Sequence, residues 1–268
     1  MRKTILLFFP LFFTGPFSWA GTSLQTRLQS FADKQAWADL DVSIDQSKMR
    51  LDFQGPWSHG SLIYARETSL VTVVDKIHET NLTITPADQS ALKMLGGLAL
   101  GLAESQADKG NWNGRKTFAI IRKNIRAFFN GTPLLKAKQV RMVGMECGRY
   151  VTELEGEKAR EVWSTDPEKT SLSGEDYNTL RSLAHLALDL AGDELVQLGA
   201  DPAAFQRLFS KPELPVVLVL FEKGKPSCRF EIKKLFSQSF TPEAFDPPAS
   251  YRAIGLLDIL KKQQASQP

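Results

Sequence analysis

The sequence predicts an α+β protein built on one curved antiparallel sheet. The expected form is an unclosed β-barrel of about ten strands with helices packed on its concave side. Three observations carry that expectation. Between residues 38 and 86, and again between 136 and 165, short segments alternate apolar and polar residues, as strands with one buried and one wet face do. The links between them are too short for the crossover a parallel pair needs, so neighbours run antiparallel. Two stretches, about 87–130 and 174–209, switch to helical periodicity and read as insertions into a single domain over residues 21–268. A sheet this wide curls, and helices in its hollow would plug it.

The elements follow in order. Arg2 and Lys3 precede an apolar run from Thr4 to Phe17, and Ser18-Trp19-Ala20 places small residues where a signal peptidase reads them. Residues 1–20 are therefore expected to be a secretory signal peptide, cleaved after Ala20, with the mature chain soluble in the periplasm. The run is interrupted by Pro10, Gly15 and Pro16, and is shorter than the roughly 20 apolar residues a membrane span requires. Ser23 to Trp37 reads as an amphipathic helix with Leu24, Leu28 and Phe31 on one face. ADLDVSI, KMRLDFQ, GSLIYAR, SLVTVVDKI and TNLTITP are then five strands of a meander.

After Pro86 the period changes. Asp88 to Ala107 is helical, apolar on nearly every side, and weakened by Gly96, Gly97 and Gly101, each costing about 1 kcal/mol relative to alanine. Such a helix is either buried core or a lid that moves. A second helix, about 116–130, carries Phe118, Ile121, Ile125, Phe128 and Phe129 along one stripe and ends at Asn130-Gly131. KAKQVRMVGME, GRYVTELEG and KAREVWST are three further strands, with a tight turn at Glu155-Gly156-Glu157. A long helix spans Gly174 to Gly199 and a shorter one Pro202 to Phe209. LPVVLVLFEKG and KPSCRFEIKKL then form a hairpin about Glu222-Lys223-Gly224, and the tail ends in an apolar segment, Ile254 to Leu260.

Chemistry is sparse. Loss of Arg2 and Lys3 takes the formal net charge from +3 to +1, which argues against nucleic acid as a partner. The cluster Arg115, Lys116, Arg122, Lys123 and Arg126 reads as a solvated helix face. His59, His78 and His185 lack metal-ligand spacing, no phosphate loop follows a strand, and no cofactor is expected. Asp39/Asp41 and Glu153/Glu155 share strand faces as solvated carboxylates commonly do. Asn81-Leu82-Thr83 and Asn130-Gly131-Thr132 match the glycosylation triplet, a weak signal.

Cys147 could pair with His185 as nucleophile and base, but His185 lies among leucines and alanines and no cationic cluster activates the thiol. An exported chain also permits a Cys147–Cys228 disulfide. Against it, three places along a meander separate the two cysteines by roughly 14 Å, and a bridge needs Cα atoms within about 7 Å. Strong curling would restore the bridge, and Cys147 could equally be a small strand residue. The protein is not expected to be an enzyme.

The segments MRLDFQGPWSHGSLIYARETSLVTVVD, GMECGRYVTELEGEKAREVWST and EAFDPPASY together resemble a group of uncharacterised bacterial periplasmic proteins with a lipoprotein-carrier, LolA/LolB-like, architecture. The resemblance implies an unclosed barrel whose hydrophobic mouth is covered by helices and shelters a lipid or a lipoprotein acyl chain. Other relatives of that architecture sense envelope stress or act as accessory proteins. The long helical insertion Gly174–Phe209 departs from the carriers. On this reading Met49, Leu51, Phe53, Leu62, Tyr64 and Trp163 are cavity wall, and Leu95, Leu98 and Leu102 are lid. The alternative for each is ordinary core. The competing functions are an envelope interaction protein whose cavity is filled by its own helices and, more remotely, a hydrolase using Cys147.

Overall fold

The computed structural model describes residues 20–31, 36–55, 59–94, 97, 119, 122–123, 125–201, 203 and 213–256. The strands are β1 (Ala20–Ser30), β2 (Ala36–Asp45), β3 (Lys48–Gln54), β4 (His59–Ala65), β5 (Leu70–Asp75) and β6 (Thr80–Ile84) in the first half. The second half supplies β7 (Leu134–Met142), β8 (Met145–Leu154), β9 (Glu157–Thr165), β10 (Leu214–Glu222), β11 (Lys225–Ser239) and β12 (Arg252–Ile254). All twelve form one sheet in the order β12-β6-β5-β4-β3-β2-β1-β11-β10-β9-β8-β7. The sheet is curved and unclosed, with few helices, so the fold is α+β.

That order is two meanders, β1–β6 and β7–β11, fused where β1 pairs with β11. Three hairpins turn on a non-glycine followed by glycine with both residues at positive φ: Val143-Gly144, Glu155-Gly156 and Lys223-Gly224. The turn type that matches strand twist needs that geometry. Val143 is the costly member, because a β-branched side chain in the left-handed region is strained by roughly 1–2 kcal/mol. Its packing against the main core with Met142 and Met145 offsets the strain.

Two elements differ from the sequence-based expectation. The helix predicted over Ser23–Trp37 is instead β1 and the start of β2. Leu24, Leu28 and Phe31 suit a helical stripe, but Thr22, Leu24 and Thr26 also alternate, and all three are buried. Sandwiched between β2 and β11, β1 gains two full ladders, which outweigh local preference. The twelfth strand, β12, ends at Ile254, the first residue of the expected apolar tail segment, and pairs parallel to β6, the single parallel contact among the described strands. The described part of the 87–130 insertion is a 3₁₀ turn at Pro86–Asp88 and helical residues 89–94, 97, 119, 122–123 and 125–129. Leu95, Leu98, Leu102 and the segment Pro202–Phe209, apart from Ala203, lie outside the described residues.

Helix α1 (Gly174–Gln197) is docked by its first turn. Ser173 caps it, accepting from the Asp176 N–H at 3.0 Å. The buried Asp176 carboxylate accepts from Thr22 Oγ1 at 2.7 Å and from the Gln46 N–H at 2.8 Å. Thr179 Oγ1 donates to the Gln46 carbonyl, and Arg66 pairs with Glu175 at 2.6 Å. Four polar contacts thus fasten one helix end to β1 and to the turns after β2 and β4. Tyr177, Leu180, Leu183 and Leu186 then lie against the core. Farther along, Leu188 and Leu195 pack on Ile125, Phe128 and Phe129 instead. Asn130 links the two helical pieces, donating to Gly199 O at 2.8 Å and accepting from the Asp201 N–H at 2.7 Å.

The opposite face of β4 and β5 is covered by the carboxy-terminal segment, where Phe240, Phe245 and Tyr251 pack over Ile63 and Val74. Below it Asp52 accepts from Arg50, Lys76 and Ser61, and Arg50 also donates to Ala244 O at 3.0 Å. Burial alone would raise the Asp52 carboxyl, but the two cations and the hydroxyl outweigh it and hold it below the ordinary range. Glu231 beside Arg229 and Lys233 behaves alike. A carboxylate depressed in the folded state contributes stability that is complete above its unfolded pKa of about 4 and is lost as pH falls through the lower folded value. The urea midpoint is therefore expected to drop between pH 5 and pH 3, and Asp52→Asn to flatten that drop while lowering the midpoint at pH 7.

Candidate functional site

Directly opposed residues in a ladder share a face, so the registers arrange the α1-bearing side into rows. The first row runs Thr22, Ile44, Met49, Tyr64, Val71 and Ile84 from β1 to β6. The second runs Leu24, Val42, Leu51, Leu62, Val73 and Leu82; the third begins Thr26, Leu40, Phe53 and Gly60. Burial falls from row to row. Ile44 and Met49 are 0% and 1% exposed beneath α1, and Tyr64 and Val71 are also buried. In the second row burial persists only on β1 and β2; Leu51, Leu62, Val73 and Leu82 are half-buried, as are Leu40 and Phe53 in the third. Helix α1 is anchored at Thr22 and Gln46, at the first-row end, so its cover weakens with distance along the strands.

The result is a trough of six half-covered apolar side chains, about 15 Å across from β3 to β6. Phe53 lies over its cross-strand partner Gly60: a β-carbon there would stand 2.8 Å from the ring and 2.4 Å from the Val74 carbonyl oxygen. Glycine is what lets the ring lie down on the sheet.

Of the expected wall residues, Met49, Leu51, Phe53, Leu62 and Tyr64 thus share one surface, the first and last as its buried floor. Trp163 packs against the same core cluster as Met49 and Tyr64 but belongs to a different row of the sheet. Its opposed partners are Val217 and Arg149, on the row continued by Glu231 and Arg27. There the Arg149 guanidinium sits 5.9 Å from the Trp163 ring centre, and buried Glu161 is held by Arg149 and Lys158. Burial works to raise the Glu161 carboxyl, but the two cations keep it below the usual range. Leu40, Val73 and Leu82 belong to the trough and were not singled out by sequence, although the same alternation that marks Leu51 marks them.

The remaining sequence candidates have plain surroundings. Cys147 is buried on β8 with its Sγ 3.7 Å from Met145 O, and burial pushes its thiol up, away from the thiolate a nucleophile needs. Cys147 and Cys228 are free thiols, with β9 and β10 between their strands. Among the described residues no group of His, Cys, Asp or Glu is placed to hold a metal ion, and no helix is long and apolar enough to cross a membrane.

A second concavity, an open cleft of about 580 Å³, is formed by residues 143–145, Thr170, Ser171 and residues 233–236. No sequence motif marks it, because it exists where β11 outruns β10. The β10–β11 ladder begins at Val217–Glu231, while β11 continues to Ser239 on β1 alone among the described residues.

Fold and site together define an α+β protein with one open twelve-stranded sheet and a half-covered apolar face. No family model matches the chain, and no curated protein matches it. Solved structures resemble it distantly. An uncharacterized conserved protein from Thermus thermophilus is 10% identical with a TM-score of 0.39, over 87% of this chain and 90% of that one. MucB, in its complex with MucA(peri), is 9% identical at a TM-score of 0.39, over 88% of this chain and 57% of that one. PNGF-II is 8% identical at 0.37, over 90% of this chain and 32% of that one. This chain thus spans about a third of PNGF-II and somewhat over half of MucB, and no residue role passes from them to it.

Proposed function

We propose that this protein is a non-catalytic periplasmic binding protein that holds a lipid or acyl chain in the trough formed by Leu40, Leu51, Phe53, Leu62, Val73 and Leu82, as a carrier or a sensor. The observation that carries this reading is the gradient of burial along one apolar face: the first row is buried from β1 to β5, whereas the second opens from β3 onward and the third from β2 onward. Covering about 200 Å² of that surface would favour binding by about 5 kcal/mol before ordering costs. The motif resemblance to lipoprotein carriers and the basic-apolar amino-terminal segment agree with it. Buried Cys147, with its thiol pushed up, supports the absence of a cysteine-dependent reaction.

Native mass spectrometry of protein purified from its host envelope, joined to titration with a fluorescent fatty acid, tests the proposal. A co-purifying lipid mass and saturable uptake are the expected results. Leu62→Asn, which sets an amide in the middle of the trough, is expected to weaken uptake about tenfold while leaving the circular dichroism spectrum unchanged. A bare protein mass with no uptake of the probe sinks the carrier reading. It would favour a sheet that serves as an interaction scaffold, its hollow filled by its own helices.

A further inference from the structure

The trough stays apolar along its second row and changes character along its third. The second row continues past β6 onto β12, where half-buried Ile254 opposes Leu82. The third follows Leu40, Phe53 and Gly60 with Asp75, Thr80 and Arg252. Its far corner is therefore polar, with one carboxylate and one guanidinium, and the two are not equally available. Asp75 Oδ1 accepts the N–H groups of Ile77 and His78 at 2.9 and 3.1 Å, and Oδ2 lies 2.7 Å from His78 Nδ1. The turn after β5 thus takes up that carboxylate. Arg252 is exposed, and its main-chain N–H, donating to Glu79 O at 3.0 Å, is what fastens it to the turn before β6. Its guanidinium forms no ion pair among the described residues.

We propose that Arg252 is the headgroup contact of the trough: it binds the single acidic group, carboxylate or phosphate, of an acyl ligand whose chain lies along the second row. This rests on the trough reading above and adds the ligand's polar end and its direction. With strands about 4.8 Å apart, Arg252 stands one step beyond Thr80 and about 10 Å from Asp75. Charges that far apart at a wet rim are largely screened at physiological salt, so Asp75 does not expel an anion held by Arg252. An amine headgroup would need the Asp75 oxygens, which the turn already occupies. A guanidinium offers a planar pair of donors that fits the edge of a carboxylate or a phosphate. The apolar row supplies most of the affinity whatever the headgroup, and the cation supplies the choice among headgroups.

The test is displacement of an uncharged reporter, a pyrene-labelled fatty alcohol, from the full-length protein by palmitic acid, methyl palmitate, hexadecylamine and palmitoyl lysophosphatidic acid. Palmitic acid should displace it about tenfold better than the methyl ester or the amine. Arg252→Gln should remove that preference while leaving the ester and the circular dichroism spectrum unchanged, and Arg252→Lys should keep most of it. The lysophosphatidic acid should depend on Arg252 in the same way, and the tighter of the two acids names the source of the anion. Leu62→Asn should weaken every ligand alike, which separates the chain's contribution from the headgroup's. Equal displacement by acid and ester, or a preference that survives Arg252→Gln, would overturn the headgroup site and leave the trough standing. A reporter that never binds would remove the trough, and the headgroup site with it.

Discussion

Replacing Asp176 by alanine is expected to lower the unfolding free energy by about 3–4 kcal/mol. The carboxylate is 2% exposed and stands in the first turn of α1. A negative charge there is favoured by the helix dipole. It accepts a hydroxyl from β1 and a main-chain N–H from the β2–β3 turn, each charge-assisted. Alanine leaves the Thr22 hydroxyl and the Gln46 N–H buried without that acceptor, and each orphan costs about 1–3 kcal/mol. Asp176→Asn keeps an acceptor oxygen but not the charge, so its loss should be about half as large. Urea unfolding followed by circular dichroism measures both. A loss below about 1 kcal/mol for alanine would mean that the apolar stripe of α1, not its polar first turn, fixes the helix on the sheet. The same variant should loosen the cover over Ile44 and Met49, so it also asks whether α1 sets the burial gradient that defines the trough.

That gradient explains what could be read from residue order and what could not. KMRLDFQ alternates so strictly that β3 coincides with its expected span, Lys48–Gln54, and Leu51 and Leu62 follow as members of one face. The mistaken helix at β1 arises because Thr22 and Thr26 are polar by composition yet face inward. Thr22 turns its hydroxyl to Asp176 and Thr26 donates to Leu40 O, so both are satisfied while buried. A threonine with a partner is β-branched core, and its partner lies far away in sequence. For the same reason no local pattern foretells which part of the apolar face stays open. The anchor joins Gln46 to Asp176, 130 positions apart. Strand β12 is three residues long and parallel, too short to show a period. The β11 cleft depends on two strands of unequal length, a property of register and not of composition.

The other large effect is predicted at Gly60, where Gly60→Ala should destabilise the fold by about 3 kcal/mol. The new β-carbon would lie 2.4 Å from the Val74 carbonyl oxygen and 2.8 Å from the Phe53 ring. The ring can swing away, but the carbonyl is main chain within the β4–β5 ladder, so strands β4 and β5 must part to admit the methyl group. Removing the ring separates the two strains. Phe53→Ala alone loses a half-buried aromatic surface, and in the double variant the methyl group no longer meets a ring. The paired losses should therefore sum to about 1 kcal/mol less than the single ones, with the remainder belonging to the Val74 contact. Strict additivity would show that Phe53 does not rest on Gly60. The binding readout follows the same geometry: a ring lifted off the sheet stands in the trough. Gly60→Ala should then reduce fatty-acid uptake at temperatures where the variant is fully folded, and the added Phe53→Ala should recover part of it. Unchanged uptake in the folded single variant would place the ligand elsewhere than above Phe53.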